Sequence, residues 1–155
     1  MANIALRMAN EMGCLVTPRD FRKVREERLL FPFVEATYRP EDENGFEVPQ
    51  AVEAIKRNIR HLHARLLGEV LAPDHPEVEA TFQLYLATWR EGFAAVQNEQ
   101  LSRDLHGHCR ATRDFYTDMD LPEEERLWRD PTYAIRAWSA VVTYLLADWR
   151  FLYHQ

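Results

Sequence analysis

Residues 49–96 read PQAVEAIKRNIRHLHARLLGEVLAPDHPEVEATFQLYLATWREGFAAV, and this stretch decides the fold. Val52, Ile55, Ile59, Leu62, Leu66 and Val70 recur at three and four residues, which lines them up on one face of an α-helix and leaves the opposite face charged. Pro49 stands where a first-turn proline sacrifices no hydrogen bond. Asp74-His75-Pro76-Glu77 then combines an N-cap, a proline and an acid, and opens a second stripe through Val78, Phe82, Tyr85, Leu86, Trp89, Phe93 and Val96. The short connection makes the pair 50–71 and 76–97 an antiparallel helical hairpin, the expected centre of the fold.

Working toward the C-terminus, the pattern blurs near Asn98 and resumes at Leu101, Leu105, Cys109, Thr112 and Phe115 or Tyr116, which predicts a further helix as far as Asp118. Asp120-Leu-Pro-Glu-Glu-Glu opens a short helix to Trp128, and Asp130-Pro131 repeats that capping chemistry. The last helix, 131–153, carries Ile135, Trp138, Val141, Val142, Leu145, Leu146, Trp149 and Leu152, too many apolar positions for a half-exposed element.

Toward the N-terminus, Ile4, Leu6, Met8 and Met12 predict a short helix that Gly13 caps. Thr17-Pro18-Arg19-Asp20 then reads as the start of another, which Pro32 stops. The segment 31–48 contains Pro32, Pro40, the acidic run Glu41-Asp42-Glu43 and Asn44-Gly45. It is the longest irregular stretch, with a hairpin turn available at Asn44-Gly45. The whole chain, 1–155, therefore reads as a single all-α domain, a bundle of about five or six helices built on the hairpin and a very apolar C-terminal helix.

Bulk composition excludes several function classes. A formal charge of −6 is the wrong sign for a phosphate-backbone binder, so no nucleic-acid partner is expected. The most apolar run, Ala137 to Ala147, is far shorter than the ~20 residues a membrane span needs. Lys23 and Lys56 are the only lysines among 19 basic residues, so nearly all cationic surface is guanidinium. Cys14 and Cys109 fit neither a Cys-x-x-Cys nor a zinc-finger spacing, and no secretory signal precedes them. Free buried thiols in a reducing, cytoplasmic setting are the expectation.

Few residues suggest chemistry. No Gly-rich phosphate loop and no Gly-x-Ser-x-Gly elbow is present, and no histidine follows a glutamate at the spacing of di-iron bundles. Asp114, Asp118, Asp120 and Glu123-Glu124-Glu125 lack the glycine and spacing of a calcium loop and read as complements to helix N-termini. Asp104-Leu-His106-Gly-His108-Cys109 is the densest set of metal-ligand side chains. In an extended segment His106 and His108 project to one face; in a helix they stand about 200° apart and cannot share an ion. His61-Leu-His63 repeats the spacing inside the most regular helix, where the pair cannot chelate alone.

Two apolar segments are more suggestive. Leu29-Leu-Phe-Pro-Phe-Val34 belongs to no helix face, and the tail Trp149-Arg-Phe-Leu-Tyr-His-Gln155 stays aromatic to the last residues. The favoured reading is a non-catalytic helical module for protein interaction or self-assembly, docking a protein partner or a second copy through Leu30, Phe31, Phe33, Trp149, Phe151 and Tyr153. The alternative is a metal- or haem-binding helical protein that uses His106, His108 and Cys109 for a transition metal. A third reading is a small-molecule-binding or enzymatic bundle with an aromatic pocket lined by Trp89, Tyr85 and Trp138.

Overall fold

The computed structural model describes residues 2–148 and belongs to the all-α class. Four α-helices are present among them: α1 (Ala2–Phe21), α2 (Pro49–Leu67), α3 (Pro76–Gln97) and α4 (Ala134–Leu146). α2 starts at its proline and ends on Gly68, whose φ of 69° supplies the left-handed C-cap. α3 starts at Pro76, but its N-cap is His75 rather than Asp74: the imidazole Nδ1 accepts from the Glu77 N–H at 3.1 Å. None of the described helices is long and apolar enough to cross a membrane.

α4 lies at the centre and touches α1, α2 and α3. It buries Ile135, Trp138, Val141, Val142, Leu145 and Leu146 against Ile55, Ile59 and Leu62 of α2 and Val78, Phe82, Tyr85 and Trp89 of α3. Each such side chain contributes roughly 1.5–3 kcal/mol by leaving water. The aromatic trio expected to line a pocket fills this interior instead. Tyr85 packs on Trp138 at 4.6 Å between ring centres, and Trp89 stacks on Phe93 while its Nε1 donates to Thr132 O. The Tyr85 hydroxyl is buried with no hydrogen-bond partner among the described residues. Burial, helped by the negative charge of Asp130, pushes that phenol well above its ordinary pKa.

The count of five or six helices is not met, for two reasons. α1 runs straight through Gly13 and Thr17-Pro18, so the two expected N-terminal helices are one. Gly13 is not a cap but a crossing point: a Cβ there would meet Thr143 Oγ1 at 2.5 Å and Ser139 O at 2.9 Å of α4. Ala9, Thr17 and Asp20 are buried on the same side. Packing along this face outweighs the local stop signal and the loss of a helical bond at Pro18. The expected helix at 101–118 is absent as well, and that at 120–128 shrinks to a single 3-10 turn, Glu123–Glu125.

In their place, 103–113 and 120–130 run antiparallel as an irregular ribbon. Isolated bridges join Asp104 to Arg129, Ala111 to Leu127 and Arg113 to Asp120. Leu105, Ala111 and Leu121 are buried, so apolar spacing that mimics a helix here serves a folded-back ribbon. At its base Asp130, 1% exposed, accepts from the backbone of Ile135 and Arg136 and from Arg136 Nε, capping the first turn of α4. Tyr133, at φ 61°, delays that helix to Ala134, three residues after Pro131. Its side of the expected span beyond Asp148, with Trp149, Phe151 and Tyr153, lies outside the described residues.

The segment 22–48 is a strap laid over the bundle. Asp20 is buried in the last turn of α1, where it accepts from the backbone N–H groups of Leu29, Leu30 and Phe31 at 2.9–3.0 Å. Asn58 of α2, also buried, accepts from Phe33 N and donates to Leu30 O. Arg28 donates to the carbonyls of Lys23, Val34 and Phe21 and pairs with Glu35 at 2.9 Å. Burial alone would raise the Glu35 carboxyl, but Arg28 and Arg25 override it and hold it below its usual range. The Asn44-Gly45 turn does form, with Gly45 at φ 79° and a bridge between Glu41 and Glu47, though its paired arms are shorter than 33–38 and 46–48.

Candidate binding cleft and cysteine cluster

Phe31 is fully buried, between Phe21 at 4.4 Å and Trp138 at 5.4 Å, and so anchors the strap rather than offering a docking side chain. Phe33 is half-buried, covered by the Arg57 guanidinium at 4.1 Å and edged by His61. Leu30 is placed differently. With Leu29 it lines an open cleft of about 440 Å³ between the C-terminal half of α1, the strap, the end of α2 and the tip of the ribbon.

Apolar side chains form part of the wall: Leu15 and Val16 from α1, Leu29 and Leu30 from the strap, Leu66 from α2, and Phe115 at the ribbon tip beside Tyr116. The two tip aromatics are 69% and 92% exposed, in edge-to-face contact at 5.5 Å. The turn that presents them is held by Asp114, which accepts from the N–H groups of Thr117 and Tyr116. Those two bonds keep its carboxyl below the ordinary range. Further out on α1, Ile4, Met8 and Met12 are exposed at helical intervals on the same side as Leu15 and extend the apolar surface.

The charged lining is lopsided. Five basic residues, Arg19, Arg22, Lys23, Arg65 and Arg113, face two acids, Asp20 and Asp114, in a chain whose net charge is −6. Both acids are engaged by backbone N–H groups. Arg113 pairs with Asp118 and Asp120, and Arg22 reaches Glu125 only at 3.9 Å. Lys23 and Arg65 have no ion-pair partner among the described residues. Arg19 donates to Leu15 O, while its Nε is buried and unpartnered; burial, and then the Arg22 charge, lower its pKa. The acidic run 114–125 thus serves the ribbon, pairing with Arg113 and Arg22, more than any helix terminus.

Cys14 and Cys109 are not free thiols. They form a disulfide across 95 residues that ties α1 to the ribbon, which removes the basis for expecting a reducing compartment. Cys109 closes the 3-10 turn Gly107–Cys109, made possible by Gly107 at φ 40°. The segment is neither the extended strand nor the α-helix between which the sequence left the choice. One ligand atom each of Cys14, His108 and Cys109 lies within 4.8 Å of the others. His106 is not in that group; its carbonyl accepts from Cys109 N. His61 Nε2 meets Leu29 O at 2.7 Å, and the buried His63 meets Thr81 Oγ1 at 3.0 Å, so both serve packing.

The arginine bias acquires a structural use. Arg28, Arg60, Arg110, Arg126 and Arg136 all donate to backbone carbonyls, closing loops that carry few internal ladder bonds. A guanidinium reaches several acceptors in fixed geometry, which an ammonium does not. Leu29 and Leu30 stood out in the apolar run 29–34, but nothing local joined them to the rest of the lining, which comes from separate stretches of the chain. No family model matches the chain, and no curated protein or solved structure is significantly similar to it.

Proposed function

We propose that this chain is a non-catalytic helical binding module whose cleft takes an apolar, acidic segment of a protein partner. The observation that carries this reading is the cleft itself: apolar walls, two exposed aromatics at the rim and a basic lining on an acidic molecule. Aromatic and arginine side chains dominate binding energy at interfaces, and complementary charge steers encounter with the right partner. The lining offers no hydroxyl or thiol nucleophile beside a base, which favours binding over catalysis. Leu30 remains in the docking set, and Leu15, Leu29, Phe115, Tyr116, Lys23 and Arg65 join it. A disulfide spanning the fold suits a chain that works in an oxidising compartment rather than the cytoplasm.

The test is fluorescence polarisation with a short fluorescein-labelled peptide of glutamate, leucine and phenylalanine, against a lysine-substituted control. Saturable binding that weakens with salt is expected, with Tyr116→Ala and Arg65→Glu each reducing affinity roughly tenfold. Both side chains are exposed, so neither change disturbs the core. Binding that ignores both substitutions, or a peptide that never saturates, refutes the cleft as the docking site. Self-assembly is the competing reading, and light scattering across a concentration series separates it: a dimer that Tyr116→Ala dissociates assigns the cleft to a second copy.

A further inference from the structure

The disulfide and its neighbour hold more than a staple. We infer that, once reduced, Cys14, Cys109 and His108 form a binding site for a single zinc-like divalent cation, independent of the cleft's proposed role. The three ligand atoms already lie within 4.8 Å of one another. Zinc bound tetrahedrally at about 2.3 Å to sulfur and 2.0–2.1 Å to nitrogen sets its ligands a little under 4 Å apart. The two Cα atoms are 5.0 Å apart, so rotation of the two short side chains is the movement that parts the sulfurs.

Accessibility favours the chemistry. Both cysteines are half-buried and His108 is exposed, at the outer edge of the contact between α1 and the turn Gly107–Cys109. A dithiol reductant transfers two electrons to the Cys14–Cys109 bond. Its own two thiols become a disulfide, and their two protons pass to the protein sulfurs. Metal binding then releases both thiol protons, leaving two thiolates and a neutral imidazole on the ion. Two thiolates and one imidazole select a soft or borderline ion over magnesium or calcium. Three protein ligands leave the fourth position to water. Disulfide and metal are alternative fasteners for the same joint: either one ties the ribbon, and with it the cleft's aromatic tip, to α1.

Cobalt is the probe. After reduction with a phosphine and removal of excess reagent, titration with Co²⁺ is followed by absorption, with far-ultraviolet circular dichroism read on the same samples. Expected are one cobalt per chain with thiolate-to-cobalt charge transfer in the near ultraviolet, displacement by Zn²⁺, and no binding by the oxidised protein. His108→Ala should weaken cobalt roughly tenfold or more, while His106→Ala leaves it unchanged. If the reduced chain loses helical signal, added Zn²⁺ should restore it. Reduced, folded protein that takes up no stoichiometric cobalt overturns the site, as does unfolded protein that metal fails to refold or an affinity indifferent to His108→Ala. None of these readouts involves the peptide probe, so the site and the cleft stand or fall separately.

Discussion

Two long non-helical stretches, 22–48 and 98–133, are fastened to the same helices by opposite means. The strap 22–48 is pinned from within, by Asp20, Asn58 and Arg28 reaching its backbone and by Phe31 and Val34 sinking into the core. The ribbon is pinned at its base by Asp130 and at one flank by the disulfide, and its tip projects. Both stretches bury apolar side chains near their fastenings, Phe31 and Val34 in the strap and Leu105, Ala111 and Leu121 in the ribbon, but the ribbon's projecting tip leaves Phe115, Tyr116 and Met119 in solvent. That contrast teaches where to look for a docking surface: the segment whose order does not depend on burying its own aromatics.

The sharpest way to break the comparison is Asp20→Ala. It strips three strap N–H groups of a buried charged acceptor and should cost about 4–5 kcal/mol in urea denaturation. A loss under about 1 kcal/mol would mean the strap is held by Phe31 alone. Removing the other fastener with Cys14→Ser and Cys109→Ser together should cost a comparable amount, up to about 4.7 kcal/mol, through restored chain entropy across the 95-residue separation. Its local signature is what distinguishes the two: amide exchange should quicken through 103–130 while the amides of Leu29, Leu30 and Phe31 stay protected.

Tyr85 sharpens the comparison at the ribbon's base, where its buried phenol lies near Asp130. Its folded pKa is raised above the unfolded value of about 10, so the folded chain holds the proton longer. The associated stability is complete below about pH 10 and is lost as pH climbs above that, by about 1.4 kcal/mol per unit. Urea midpoints at about pH 9 and about pH 11 should therefore converge in Tyr85→Phe relative to the parent chain. The same substitution removes an unpartnered buried hydroxyl, and at neutral pH it should be neutral or stabilising by about 1 kcal/mol. The smallest effect belongs to the ribbon tip: Tyr116→Ala should move thermal stability by less than about 0.5 kcal/mol while abolishing most of the peptide affinity.

Much of this was legible beforehand, and the pattern of what was not is instructive. The helices at Pro49–Leu67 and Pro76–Gln97 follow from apolar spacing and first-turn prolines. Gly13 misleads because a glycine that stops a helix and one that lets two helices touch look identical without knowledge of the neighbour. Leu101, Leu105, Cys109 and Thr112 mislead because of the four only Leu105 is buried, too little packing to hold a helix, and the ribbon's cross-chain bonds win. Of the metal-ligand residues, His108 and Cys109 fall together, but their companion is Cys14 of α1, not His106.

By itself the sequence determined the all-α class and the two central helices with their first-turn prolines, because helix formation is written in contacts three and four residues apart. Only the tertiary structure decided that α1 is continuous, that Cys14 meets Cys109, and that four separate stretches enclose one basic, apolar cleft. Those depend on residues up to about a hundred positions apart, brought together by burial around α4, and no local periodicity encodes which distant partners that burial will choose.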